Sequence, residues 1–156
     1  QSDKVAILGL RLLDENVLKI NKRKADRIKR RRNLTTRSKE YDLDHHYDMG
    51  SQHTIMLFDA LRTKILSLSD SVSEKYNKYY IAYTMSSNFC EINIQKSQLK
   101  IWVNVAVEDI KGLKSICRDV RKIGHYGTGE TELKLTDFSD VDAVFEIIKQ
   151  SLINIQ

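Results

Sequence analysis

Proline is missing altogether from the 156 residues, and cysteine nearly so, with Cys90 and Cys117 alone. Without proline there are no proline-rich recognition tracts or linkers, and the turns fall to Gly, Asn, Asp and Ser. Two cysteines, neither in a C-x-x-C pair, cannot form a disulfide scaffold; both fit small core residues in a reducing compartment better than nucleophiles. No uncharged apolar run approaches the roughly 18–20 residues of a membrane span, and no apolar leader opens the chain. These absences predict a soluble cytoplasmic protein with no membrane partner. At about 100–200 residues per domain, the length allows one domain with an appendage and excludes a two-domain enzyme of ordinary size. The first residue is Gln, which reads as the start of an excised piece.

What is present begins with charge. The net charge is +5, but residues 19–39 alone hold eleven Lys or Arg against one acid, a balance of +10, so the rest of the chain sums to −5. Any inference from basicity to nucleic acid therefore concerns that one segment. Its candidate phosphate contacts are Lys22, Arg23, Arg27, Arg30 and Arg31, weighed against a merely solvated helix and an acidic protein partner.

Residues 4–20 place Val5, Leu8, Leu12, Leu13, Val17 and Ile20 near helical spacing. Residues 33–51 are polar and aperiodic and read as a linker. Ser51 can cap a helix with Ile55, Phe58, Leu61, Ile65 and Leu68 on one face, ending at Ser69-Asp70. Three stretches, 76–84, 89–95 and 99–107, are rich in aromatic and β-branched residues, and the latter two alternate apolar with polar side chains as half-buried antiparallel strands do. Residues 111–121 suit a short helix burying Leu113, Ile116, Cys117 and Val120. A fourth strand is expected at 131–135, then a helix capped through Ser139 and Asp142 and burying Val141, Val144, Phe145, Ile148 and Leu152. The expected fold class is α+β: an antiparallel sheet of about four strands covered by helices on one face, preceded by a basic helical N-terminal segment. Residues 1–49 form the end of an upstream domain and its connection, and 50–156 the α+β domain.

Three of the six glycines fall in Gly124-His125-Tyr126-Gly127-Thr128-Gly129. Positive φ at such glycines lets a loop aim several amides at an anion, with His125 and Thr128 adding donors; a tight structural connection is the plainer reading. The spacing is neither G-x-G-x-x-G nor a phosphate loop with Gly-Lys-Ser. On the outward strand face, Gln95, Lys96, Gln98, Lys100 and Trp102 form a row suited to stacking and phosphate contact, or to plain solvation with Trp102 packed under a neighbouring helix. Gln98-x-Lys100 has the spacing of some metal-dependent nucleases but lacks a companion Asp on a preceding strand. His45, His46 and His53 with Asp42, Asp44 and Asp48 resemble metal ligands, yet adjacent histidines in a polar linker converge poorly on one ion. The residues point to no metal, no cofactor and no catalytic group.

Lys78-Tyr79-Tyr80-Ile81-Ala82-Tyr83, Asn88-Phe89, Gln95-Lys96, Leu99-Lys100, Arg118-Asp119-Val120, the Gly124–Gly129 element and Ile147-Ile148-Lys149-Gln150-Ser151 occur in that order. Together, over about residues 50–155, they resemble an uncharacterised prokaryotic domain family whose full-length members are often labelled predicted transport proteins. Arg121-Lys122 departs from the small polar residues usual before the loop, and Leu152 from an aromatic. The resemblance implies a non-catalytic C-terminal module joined to restriction-type or other defence-associated proteins, touching nucleic acid or a partner enzyme. A small-ligand or anion pocket around Gly124–Gly129, with hydrolysis as its extension, is the alternative.

Overall fold

The computed structural model describes residues 40–156, of which Tyr41–Gln156 form one compact unit. The helix expected over 4–20 and the basic candidates Lys22, Arg23, Arg27, Arg30 and Arg31 lie outside the described residues.

The unit opens with a short helix α1, Leu43–Tyr47, whose N-cap Asp42 accepts from the His45 amide. Helix α2, Gln52–Leu66, starts as expected at Ser51, which forms a reciprocal capping box with Thr54. It stops at Ser67 rather than Ser69-Asp70. Strands β1 (Ser73–Tyr76), β2 (Ile81–Thr84), β3 (Asn88–Ile94), β4 (Leu99–Val103), β5 (Cys117–Asp119) and β6 (Thr131–Leu135) precede the final helix α3, Val141–Asn154. They build one antiparallel sheet in the order β1-β2-β3-β4-β6-β5.

The α+β class and antiparallel sheet hold, but the sheet has six strands instead of about four. Both additions are edge strands with polar sequences, Ser-Glu-Lys-Tyr and Cys-Arg-Asp. Of the apolar run at 76–84, Tyr76 ends β1 and Ile81–Thr84 form β2; between them the chain turns at 77–80, closed by the Asn77 amide on the Tyr80 carbonyl at 2.9 Å. The helix expected at 111–121 is a correction of kind: Lys114–Ile116 is a single 3-10 turn, and Cys117–Asp119 extends to pair with β6. Gly112, at φ 84°, bars a helix through that point, and the open edge of β6 offers Cys117–Asp119 a hydrogen-bonding ladder that a surface helix could not match. Residues 42–50, read as linker, instead hold α1, with His46 fully buried. The last helix is preceded by a 3-10 turn, Phe138–Asp140, capped by Asp137 rather than through Ser139 and Asp142.

The inner sheet face carries Tyr83, Cys90, Ile92, Ile101, Val103 and Leu133 against Leu57, Phe58, Leu61 and Ile65 of α2 and Val144 and Ile148 of α3, all inaccessible to solvent. Each such side chain contributes roughly 1.5–3 kcal/mol by leaving water. Arg62 of α2 grips Glu74 of β1 with two hydrogen bonds of 2.7 Å, and Tyr76 donates to the same carboxylate. Burial alone would push Glu74 up, yet these donors hold it below the ordinary range. Ser151 of α3 ties the helix to the sheet, donating to the Phe89 carbonyl at 2.5 Å and accepting from the Asn104 amide at 2.7 Å. Both helices thus lie on one face, and the other is left to whatever the loops can supply.

Candidate functional site

One cross-strand row runs over the outer face: Ala82, Glu91, Trp102, Glu132 and Arg118, each opposite the next in register. Alternation along strands predicts these positions to be solvated. Four of the five are buried, Glu91 to 1% and Glu132 to 3% exposure, because the loop between β5 and β6 folds back over them. The glycines make that close approach possible. A Cβ on Gly127 would stand 2.7 Å from Trp102 Cγ, and one on Gly129 would stand 2.4 Å from the Val103 backbone nitrogen. None of Gly124, Gly127 or Gly129 is in the left-handed region; among the described residues the positive-φ glycine is Gly112. The expectation of positive φ is therefore corrected. Gly127 and Gly129 are small so that backbone can lie on the indole and on β4.

The loop is fastened at several points. The Glu130 amide donates to the Val103 carbonyl at 2.9 Å, and the Val120 amide to the Glu130 carbonyl at 3.0 Å. Thr128 donates to Glu91 Oε1 at 2.5 Å. His125 lies nearly parallel to Trp102, with centroids 6.3 Å apart and 26° between planes. Its Nδ1 is 2.7 Å from the Ile123 carbonyl and its Nε2 3.0 Å from the Gly129 carbonyl. A carbonyl only accepts, so the ring donates to whichever of the two faces its N–H. Tyr126, 59% exposed, packs on Tyr79 of the β1–β2 turn at 4.7 Å, and the Lys78 ammonium stands 4.8 Å above the Tyr79 ring.

Between loop and sheet lies a cavity of about 180 Å³. Its floor is Asn93, Lys100, Trp102 and Glu132, with Gln95 at one end. Arg118 and Val120 of the β5 side form one wall, and Ile123, Gly124, His125 and Tyr126 the other. Two floor residues hold buried polar atoms with no protein partner: the Trp102 Nε1 donor and the Glu132 Oε1 acceptor. The other carboxylate oxygen of Glu132 is 3.7 Å from Lys100 Nζ. A buried polar atom left unpaired costs roughly 1–3 kcal/mol, and both atoms are closed off from the cavity's open space as well as from protein partners.

The structure brings Lys100, Gly124, His125 and Tyr126 together at this cavity. Gly127, Thr128 and Gly129 serve to hold the loop, and exposed Lys96 lies in the β3–β4 turn outside the lining. Trp102 packs under the loop rather than under a helix. Arg121, read from sequence as a cation beside the glycines, is spent on Asp119 at 2.7 Å and Glu108 at 2.6 Å; its hydrogen bond holds the Asp119 carboxyl at about 2. Arg118 and Glu132 escape sequence reasoning. The 2-residue period of Thr131–Leu135 could have placed Glu132 outward beside Lys134, whereas the helical reading of 111–121 concealed Arg118. The His45, His46, His53 and Asp42, Asp44, Asp48 set converges on nothing: among the described residues no group of three His, Cys, Asp or Glu is placed to hold a metal ion. Cys90 is buried and its thiol pushed up by desolvation. No helix among the described residues is long and apolar enough to cross a membrane.

An uncharacterized protein of Haemophilus influenzae is 28% identical over 96 residues, covering 62% of this chain. The chain spans about a third of that relative's length, 32%. No solved structure matches. Residues 43–151, from α1 through the loop and both of its glycine contacts to Ser151, match the family described as Domain of unknown function (DUF5655), and the chain belongs to that family.

Proposed function

We propose that this domain is a non-catalytic ligand-binding module whose site is the cavity beneath residues 124–129. One observation carries the reading: the loop roofs a cavity of about 180 Å³ over the outer sheet face, with Lys100, Arg118 and His125 all in its lining. Pockets of this kind combine a mostly apolar wall with a few polar groups that fix orientation. Hydrolysis is not favoured, since both His125 nitrogens face carbonyls and Glu132 is the one carboxylate lining the cavity. Because the chain spans only a third of its Haemophilus relative, we read it as an accessory part of a longer protein, of the defence-associated kind its sequence suggests.

Trp102 is the sole tryptophan, so its indole N–H gives one resonance in a nitrogen-correlated NMR spectrum. Screening a panel of sugars, amino acids, phosphates and heterocycles is expected to find at least one compound that moves this resonance and raises Tm. A panel that moves neither removes the reading.

A second reading rests on the +10 of residues 19–39: phosphate-backbone contact with nucleic acid. With about six phosphates neutralised, log K is expected to fall against log salt with a slope of about −5. A slope near zero leaves that segment as solvated charge.

A further inference from the structure

We propose that the ligand of this cavity is a small organic carboxylate, its anionic group held by Lys100 and Arg118 and its apolar body resting on Ile123 and Tyr126. The inference rests on the ligand-pocket reading above and names the class of molecule that fits it.

The buried floor takes no direct part. Trp102 is 2% exposed beneath Gly127 and Glu132 is 3% exposed, so a ligand meets the side chains that reach the open space. Two of these are cations with donors unspent. Lys100 Nζ lies 3.7 Å from Glu132 Oε2, beyond hydrogen-bond reach, whereas the other ion pairs among the described residues close to 2.6–2.9 Å. With its side chain 28% exposed, the ammonium is oriented by the buried carboxylate and still open to a second acceptor. Arg118, opposite Glu132 in register and exposed, has no hydrogen-bond or ion-pair partner among the described residues. At the end of the cavity, Gln95 accepts from Gln98 Nε2 through its Oε1 at 2.9 Å, which leaves the Gln95 Nε2 to donate. Three side chains with unspent donors call for an occupant that accepts.

Charge narrows the class. Among the lining side chains Lys100 and Arg118 give +2 and Glu132 −1, a sum of +1 with imidazole counted as neutral. One carboxylate cancels that charge, and its two oxygens match the paired N–H groups of a guanidinium. A phosphate dianion overshoots it, beside a buried carboxylate that repels the excess.

The mouth accounts for the rest of the molecule. Of the five large hydrophobic side chains exposed among the described residues, Ile123 at 44% and Tyr126 at 59% line this cavity. A third, Tyr79, packs on Tyr126 at 4.7 Å and holds that ring in place. Apolar side chains at the edge of a cationic pocket favour a hydrocarbon or aryl body, which an inorganic anion lacks. The volume, about 180 Å³, lies below the roughly 300–1,000 Å³ of pockets for drug-sized ligands and suits an acid with one ring or a short chain.

The test is calorimetric titration of the purified chain with phenylacetate, its neutral isostere phenylacetamide, inorganic phosphate, and a tripeptide ending in phenylalanine with a free or an amidated terminus. At least one acid is expected to bind about tenfold or more tighter than its amide. Arg118→Gln, an exposed substitution, should weaken the acid by about tenfold and leave the amide unchanged. Glu132→Gln removes the opposing charge and is expected to tighten the acid by about threefold, a gain that damage to the fold does not produce. Unchanged circular dichroism and Tm in the free variants keep folding apart from binding. Tighter binding of phenylacetate names a free acid and tighter binding of the peptide a chain terminus; both support the carboxylate. Phosphate binding tighter than either acid overturns the proposal, as do amides that bind as well as acids or an Arg118→Gln chain that keeps the full preference. If no acid binds while compounds without a carboxylate still move the Trp102 resonance, the carboxylate falls and the pocket stands. Silence from every compound removes both.

Discussion

Replacing Gly129 with alanine is expected to destabilise the domain by about 3 kcal/mol and to lower Tm by roughly 10 °C. The added methyl would meet the Val103 nitrogen at 2.4 Å, the Val103 oxygen at 2.7 Å and the Trp102 carbonyl carbon at 2.8 Å. All three are backbone atoms of a strand paired on both sides, so none can swing away as a side chain would. Relief requires lifting the loop, which breaks the Glu130-to-Val103 hydrogen bond and uncovers the Trp102–Glu132 row. Gly124 is the internal control: a Cβ there meets nothing within 4 Å, so Gly124→Ala should stay within about 0.5 kcal/mol of the parent. Urea midpoints followed by Trp102 fluorescence decide the matter. Equal midpoints for the two variants would falsify the close approach of loop to β4.

Acidification from pH 7 to pH 4 is expected to cost about 3 kcal/mol of stability through His46 alone. This side chain is fully buried against Tyr76, and the Asn77 backbone, which favours the protonated ring, does not offset that burial. Desolvation first, and then repulsion from His45, lowers its pKa from the ordinary 6.5 to about 4. The unfolded chain takes up a proton as pH falls through 6.5, while the folded chain refuses it until about 4. The contribution is therefore whole above pH 6.5 and lost progressively down to pH 4. Carboxylates held low in the fold, Asp119 and Glu74 among them, are lost below about pH 4.5, so the upper part of the window belongs to the histidine. His46→Leu keeps an apolar side chain of similar bulk and should flatten the slope of stability between pH 6.5 and 4.5. If the variant retains the parent slope, the buried imidazole is not its source.

How far the chain could be read depended on where each residue meets its neighbours. The Ser51 cap is local, and it stands where expected. The inner faces of β3 and β4 follow from their own alternation, because both strands are central and packed by α2 and α3. The edges β1 and β5 were illegible for the opposite reason. A short edge strand carries polar residues suited to solvent, and its extended form is decided by the open ladder of a neighbour distant in sequence. Around Cys117 the helical spacing of apolar residues was real, but Gly112 and the edge of β6 outweighed it.

The site divides in the same way. The sequence by itself determined that Trp102 and Lys100 leave the apolar face of β4 and that Cys90 belongs to the core, and it marked Gly124–Gly129 as a special stretch of backbone but assigned the reason to positive φ. It also confined the basicity to residues 19–39. Only the tertiary structure decided that the partner of the glycines is the Trp102 indole and the β4 backbone, because that contact joins residues about 26 positions apart in sequence. Only register across three strands could set Glu132 between Trp102 and Arg118. Burial of that row, which turns an ordinary polar sheet face into the floor of a cavity, follows from the loop folding over it and from no single segment's pattern.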